Sequence, residues 1–138
     1  MIVADSSYIV DALFGGEGGF GGEPAIVPEL AVYEVVNAIL VRERVLGTLE
    51  HGLDYVRAFF GILDASVLEV VGTTGDLMSE AYEIASRHGE AVYDCIFVVL
   101  AVRTGSPLLT HDRRQAKVLE KELARLREGG RDAAPRSD

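Results

Sequence analysis

Almost everything that marks a zinc or disulfide protein is missing from this chain. It has one cysteine, Cys95, and three scattered histidines, His51, His88 and His111, so no internal disulfide can form and no zinc-ligand spacing exists. Tryptophan is absent, and the side-chain amides are reduced to Asn37 and Gln115, a scarcity that fits a thermophilic source. The longest apolar runs reach about twelve residues, short of the roughly 18 to 20 that cross a bilayer. The N-terminus has neither the basic start nor the small-residue cleavage site of a signal peptide. A soluble cytoplasmic protein with no membrane segment is expected. Positive charge is scarce too: 13 Lys and Arg stand against 22 Asp and Glu, for a net charge of −9, so a broad basic footprint for nucleic acid is missing.

What is present is the apolar content of one globular domain, 49% of 138 residues. Short β-branched runs alternate with longer helical patterns. Strands are predicted at Met1 to Ala4, Ala25 to Val27, Val67 to Val71 and Pro107 to Thr110. Helices are predicted at about Ser7 to Phe14, Pro28 to Leu46, Glu50 to Asp64, Asp76 to His88, Ala91 to Thr104 and Arg113 to Arg127. Boundary signals include Ser6 as an N-cap, Pro28 in a first turn, Thr74 before its helix, and Gly47, Gly89 and Gly105 as stops. The last helix repeats Ala116, Leu119, Leu123 and Leu126 as its apolar stripe. Alternation of strand and helix implies right-handed crossovers, hence a three-layer α/β/α sandwich around a parallel sheet of four strands, a fifth being left open. Residues 1–128 form the single domain; residues 129–138, GGRDAAPRSD, read as a disordered polar tail. Gly16, Gly18 and Gly21 match GxGxxG, but they follow the first helix instead of joining it to the first strand, so a flexible loop is the better reading.

The acids fall in a pattern. Asp5 ends the first strand and Asp112 sits two residues after the fourth, both at the carboxyl edge where open α/β folds bind ligands. Glu34 lies in the second turn of the helix after the second strand. Asp94, the one full charge in AVYDCIFVVLAV, lies in the first turn of a helix that feeds the fourth strand and runs antiparallel to it. All four therefore converge on one rim although they are 29, 60 and 18 positions apart. Taken singly, Asp94 can be a helix-dipole partner and Asp5 or Asp112 a turn or capping residue. Glu34 is harder to dismiss, because its helix is apolar in nearly every direction and an unpaired buried carboxylate is costly. Other acids, including Asp11, Glu43, Asp54, Asp64 and Glu80, read as solvated surface.

Four carboxylates within a few ångströms would repel by roughly 4 kcal/mol per close pair at an effective dielectric near 20. No lysine lies near any of them in sequence; Arg113 and Arg114, which follow Asp112, are the nearest cations and the candidates for substrate contact. Oxygen-only ligands without His or Cys match a hard dication, Mg2+ or Mn2+, and phosphodiester hydrolysis is the reaction such a site suits best. A wider group of cations, Arg42, Arg44, Lys117, Lys121, Arg125 and Arg127, lies near the rim or on the last helix, most of them reading as a solvated face.

The segments VADSSYIVDAL, PELAVYEVVNAIL, AVYDCIFVVLAVRTG and LLTHDRRQA, in that order, resemble PIN-domain ribonucleases of the VapC toxin type, over residues 1 to about 120. The resemblance gives Asp5, Glu34, Asp94 and Asp112 the places of an acidic quartet that binds Mg2+ or Mn2+ for endonucleolytic cleavage of RNA. It matches Ser6 and Thr110 to small hydroxyl positions beside the first and last acids, and Asn37 to a polar position one turn beyond the glutamate; these would orient the ligands. A cognate antitoxin and a homodimer are implied in the same way. Family members often end in a further short strand, whereas LEKELARLREGGRDAAPRSD stays helical and then polar. Two other readings remain open: a catalytically silent PIN-like interaction module, and a metal-dependent phosphatase. A dehalogenase-like phosphatase needs a second Asp two residues after its nucleophile, where this chain has Ser7, and no downstream lysine completes such a site.

Overall fold

The computed structural model describes residues 1–15, 23–65 and 67–133. The Gly16, Gly18 and Gly21 pattern lies outside the described residues, as do residues 134–138 of the expected tail. In chain order the elements are β1 (Ile2–Ala4), α1 (Ser6–Leu13), β2 (Ala25–Pro28), α2 (Glu29–Arg44), α3 (Gly52–Asp64), β3 (Leu68–Val71), α4 (Gly75–His88), α5 (Val92–Thr104), β4 (Leu108–Leu109) and α6 (Arg113–Ala133).

The strands are short and oily because they are covered on both sides. Ile2, Val3 and Ala4 are all buried, as are Ala25 to Pro28. They pair in parallel in the order β3-β2-β1-β4, with Val3 opposite Ile26 on one side and Leu108 on the other. The chain therefore steps outward from β1 through β2 to β3, then returns to the far side of β1. That reversal makes the carboxyl ends of β1 and β4 a topological switch point, the crevice where open α/β sheets receive ligands. Among the described residues the sheet has these four strands and no fifth.

Helices α1, α2 and α3 pack on one another, with α2 and α3 reaching β2 and β3. On the other side α5 lies against β1, β2 and β4 and is flanked by α4 and α6. This explains the apolar run 91–102. Cys95 to Ala101 are buried without interruption, so α5 is a central helix apolar all round, and Asp94 is placed one residue before its buried stretch begins. The α4 helix starts on Thr74, whose hydroxyl accepts the Leu77 N–H at 3.1 Å, and α4 and α5 stop on Gly89 and Gly105, both left-handed at φ 65° and 63°.

Several boundaries differ from the sequence reading. Asp5, not Ser6, is the N-cap of α1: its backbone is extended and its carboxylate accepts the Tyr8 N–H, leaving the Ser6 hydroxyl for other use. Pro28 closes β2 and caps α2 from outside instead of entering the helix, and α2 ends at Arg44, before Gly47. The last helix does not stop at residue 127. It runs through Gly129 to Ala133, because a glycine costs a growing helix only about 1 kcal/mol relative to alanine. Its buried face is also rotated from the expected stripe. Gln115, Val118 and Glu122 are buried while Leu123 and Leu126 are exposed, since a polar cluster described below draws Glu122 inward.

Candidate metal-dependent active site

At the switch point lies a pocket of about 390 Å³ whose walls include Asp5, Glu34, Asp94 and Asp112. Each carboxylate is put there by a local reason. Asp5 leaves β1 and caps α1, so it is fixed by the backbone and is only 8% exposed. Glu34 sits on the face of α2 that turns Ala38 and Arg42 to the same pocket, four residues apart each time. Asp94 opens α5. Asp112 opens α6, accepting the Arg114 N–H at 2.9 Å and the Gln115 N–H at 3.4 Å.

Small hydroxyls tie the set together. Ser6 donates to Glu34 Oε1 at 2.6 Å, joining α1 to α2. Thr110 donates to Asp5 Oδ2 at 2.5 Å and its oxygen accepts the Asp112 N–H at 2.9 Å, so one side chain links the first and last acids. Ser7 also donates to Asp5, at 2.7 Å. Asn37, by contrast, is exposed and is not part of the pocket wall. Arg113 and Arg114 lie outside the wall as well: both are exposed, and Arg114 is paired with Glu90 at 2.9 Å.

The acids sense one another. Burial raises Glu34 above the ordinary carboxylate range, the Ser6 hydrogen bond opposes this, and the charges of Asp94 and Asp5 raise it further. Asp94 is raised first by burial, then by Asp112, Glu90 and Asp5, against Arg114. Such mutual repulsion in a half-buried pocket is the condition that a bound cation relieves. The donor set, carboxylates and hydroxyls without an available thiol or imidazole, suits a hard dication. Cys95 next to Asp94 is no ligand, since burial holds its thiol at about 11. As placed, however, the carboxylates of Asp5, Glu34 and Asp112 are engaged by hydroxyl and amide donors, and among the described residues no three His, Cys, Asp or Glu side chains stand close enough to cage an ion. The expected gathering within a few ångströms is therefore met as a shared pocket, not as a closed coordination shell.

Other wall residues escaped the sequence reading. Asp11, taken as solvated surface, lines the pocket and is joined to His111 at 2.7 Å and to Arg42 at 3.9 Å. Gln115 is buried, donates to the Asp94 backbone carbonyl at 3.0 Å, and leaves its Oε1 without a partner at the pocket. The signal was available: Gln115 is three residues before Val118 on one helix face, and it is the chain's lone glutamine.

A family model for the PIN domain matches residues 2–121. The chain is similar to Ribonuclease VapC3 of Pyrobaculum aerophilum, 32% identical over 96 residues that cover 64% of this chain and 66% of that protein, just under two thirds of its length. In architecture it is similar to the crystal structure of PAE2754 from Pyrobaculum aerophilum, with a TM-score of 0.69 at 19% identity, covering 92% of this chain and 95% of that one.

Proposed function

This chain belongs to the PIN-domain family, and on that premise we propose that it is a divalent-metal-dependent endoribonuclease, the toxin of a toxin–antitoxin pair. The observation that carries the reading is the placement of Asp5, Glu34, Asp94 and Asp112, from four separate elements, on the wall of one pocket at the switch point of the sheet. The relative named a ribonuclease supports the RNA substrate. Asp5, Glu34, Asp94 and Asp112 would hold the divalent ion, Mg2+ or Mn2+, whose chemistry when bound would be to activate water and neutralise charge on the phosphoryl oxygen.

The protein's own groups do the rest. Asp5, locked by Ser7, Tyr8 and Thr110, is the rigid point of the site; Ser6 and Thr110 hold Glu34 and the Asp112 backbone in register with it. Phe97 and Val10 form apolar walls that keep bulk water from part of the pocket. The phosphatase reading is disfavoured by Ser7, which donates to Asp5 where a second acid would be required. An antitoxin and a second copy of the chain are the proposed protein partners, in the cytoplasm; no helix among the described residues is long and apolar enough to cross a membrane.

Purified protein is expected to cleave single-stranded RNA in Mn2+ or Mg2+ and to stop in EDTA. Asp5→Asn and Asp94→Asn each remove at least about 100-fold of the rate, while asparagine still caps α1 at position 5. Cleavage that survives in both variants, read on denaturing gels, overturns the assignment.

A further inference from the structure

Among the described residues, twelve line the acid pocket, and of these Arg42 alone carries a positive charge. The chain as a whole has a net charge of −9, so a polyanionic strand entering this pocket meets five carboxylates and one guanidinium. The guanidinium is positioned without being satisfied. Its carbon lies over the Phe14 ring at 4.6 Å, a cation–π seat for the group. Its ion pair is long, 3.9 Å to Asp11 Oδ1, and the other oxygen of Asp11 is taken by His111 at 2.7 Å. The exposed Arg57–Asp54 pair is equally long at 3.9 Å, but two arginines about as exposed as Arg42 are closed on their partners: Arg87 on Glu122 and Arg103 on Glu80 each make two hydrogen bonds of 2.9 and 3.2 Å to one carboxylate. Arg42 keeps the planar fork of donors that matches phosphate, in a half-buried position with a side chain 34% exposed.

The spacing on α2 says which phosphate. Glu34, Ala38 and Arg42 follow one another up the pocket wall, and eight residues of helix rise about 12 Å. Ala38 between them leaves the wall open. Arg42 is thus set along the pocket wall from Glu34, with Asp11 as the acid beside it. We propose that Arg42, seated on Phe14, is the anchor for a neighbouring phosphate of the bound strand and so fixes the strand's path across the acid pocket. This rests on the ribonuclease reading above and makes Arg42 a positioning residue on the pocket wall, where neither Arg113 nor Arg114 lies.

The test compares Arg42→Gln and Arg42→Lys with wild type, using a short single-stranded RNA oligonucleotide and a dinucleotide, with Arg103→Gln as the remote control. For the oligonucleotide, Arg42→Gln should raise KM about tenfold, with the loss in KM and not in kcat. In the cleavage-silent Asp94→Asn background, fluorescence anisotropy should show weaker binding and a salt dependence shallower by about 0.7 in log–log slope, one phosphate contact fewer. Arg42→Lys should keep the slope and lose part of the affinity, because it retains charge without the fork. The penalty should shrink on the dinucleotide, which offers no neighbouring phosphate. An unchanged KM and slope in folded Arg42→Gln, or equal penalties on both substrates, would falsify the proposal. If Arg42→Gln does not fold, a Lys variant with wild-type affinity does the same. Wild-type protein that cleaves no RNA in either ion removes the ribonuclease reading itself, whereas intact cleavage with an indifferent Arg42 removes only this one.

Discussion

Asp94 and Cys95 are neighbours with opposite fates, and the difference is one step of a helix. Cys95 faces the core and is fully buried; Asp94, half-buried, faces the pocket with four other acids, Asp5, Asp11, Glu34 and Asp112. The repulsion this creates has a measurable sign. Glu34 has a folded-state pKa above its ordinary value of 4.5, chiefly through burial. The unfolded chain therefore releases this proton first as pH rises, and stability falls from about pH 4.5 until Glu34 is ionised in the folded state as well. Metal-free Glu34→Gln should escape that fall. Its melting temperature should exceed that of wild type at neutral pH and approach it near pH 4.5 and below, in paired thermal scans in EDTA. A variant less stable than wild type across the whole range would mean that the Ser6 hydrogen bond outweighs the cost of burial and the repulsion together.

At the level of elements, the second buried acid has the opposite character. Glu122 on α6 is 2% exposed and takes hydrogen bonds from Arg87 at 2.9 and 3.2 Å, His88 at 2.6 Å and Arg125 at 3.2 Å. Burial alone would raise it, but these donors prevail and bring it to about 2. The cluster clamps the end of α4 to the middle of α6, and it explains why α6 turns a glutamate inward while Leu126 stays in solvent. Because the folded pKa is depressed, this contribution is complete above the ordinary value of 4.5 and is lost as pH falls towards 2. Glu122→Gln should cost roughly 3 kcal/mol at neutral pH, less than a fully buried pair because Arg125 is half exposed, and should flatten the acid limb of a urea-denaturation series. Periodicity alone could not reveal this clamp. The stripe Ala116, Leu119, Leu123 and Leu126 is the more apolar face, and only the partners on α4, 34 and 35 residues away, shift burial one residue round to Gln115, Val118 and Glu122.

For the whole molecule, an ion that binds only the folded pocket must stabilise it by mass action. Mn2+ at about 100 times its dissociation constant should add about 2.7 kcal/mol, seen as a rise in melting temperature that EDTA reverses and Asp94→Asn abolishes. Much of this molecule was legible in the residues. The element order, the parallel sheet, and the convergence of Asp5, Glu34, Asp94 and Asp112 follow from strand-helix alternation and the direction of each helix. What was not legible depends on contacts between elements distant in the chain. Asp11 looked like ordinary helix surface until His111 and Arg42 came beside it, and Asn37 looked placed for the site until its direction on α2 turned it to solvent. Strand β4 gives the molecule its uneven temper. Two residues, Leu108 and Leu109, hold the edge of the sheet, with Val3 N–H to Pro107 and Asp5 N–H to Leu109 as the stitches, and Thr110 and Asp112 hang from its end. The hem of the fabric is therefore expected to fray before the cloth tears, with Thr110 and Asp112 loosening on heating while the hydrophobic interior is still whole.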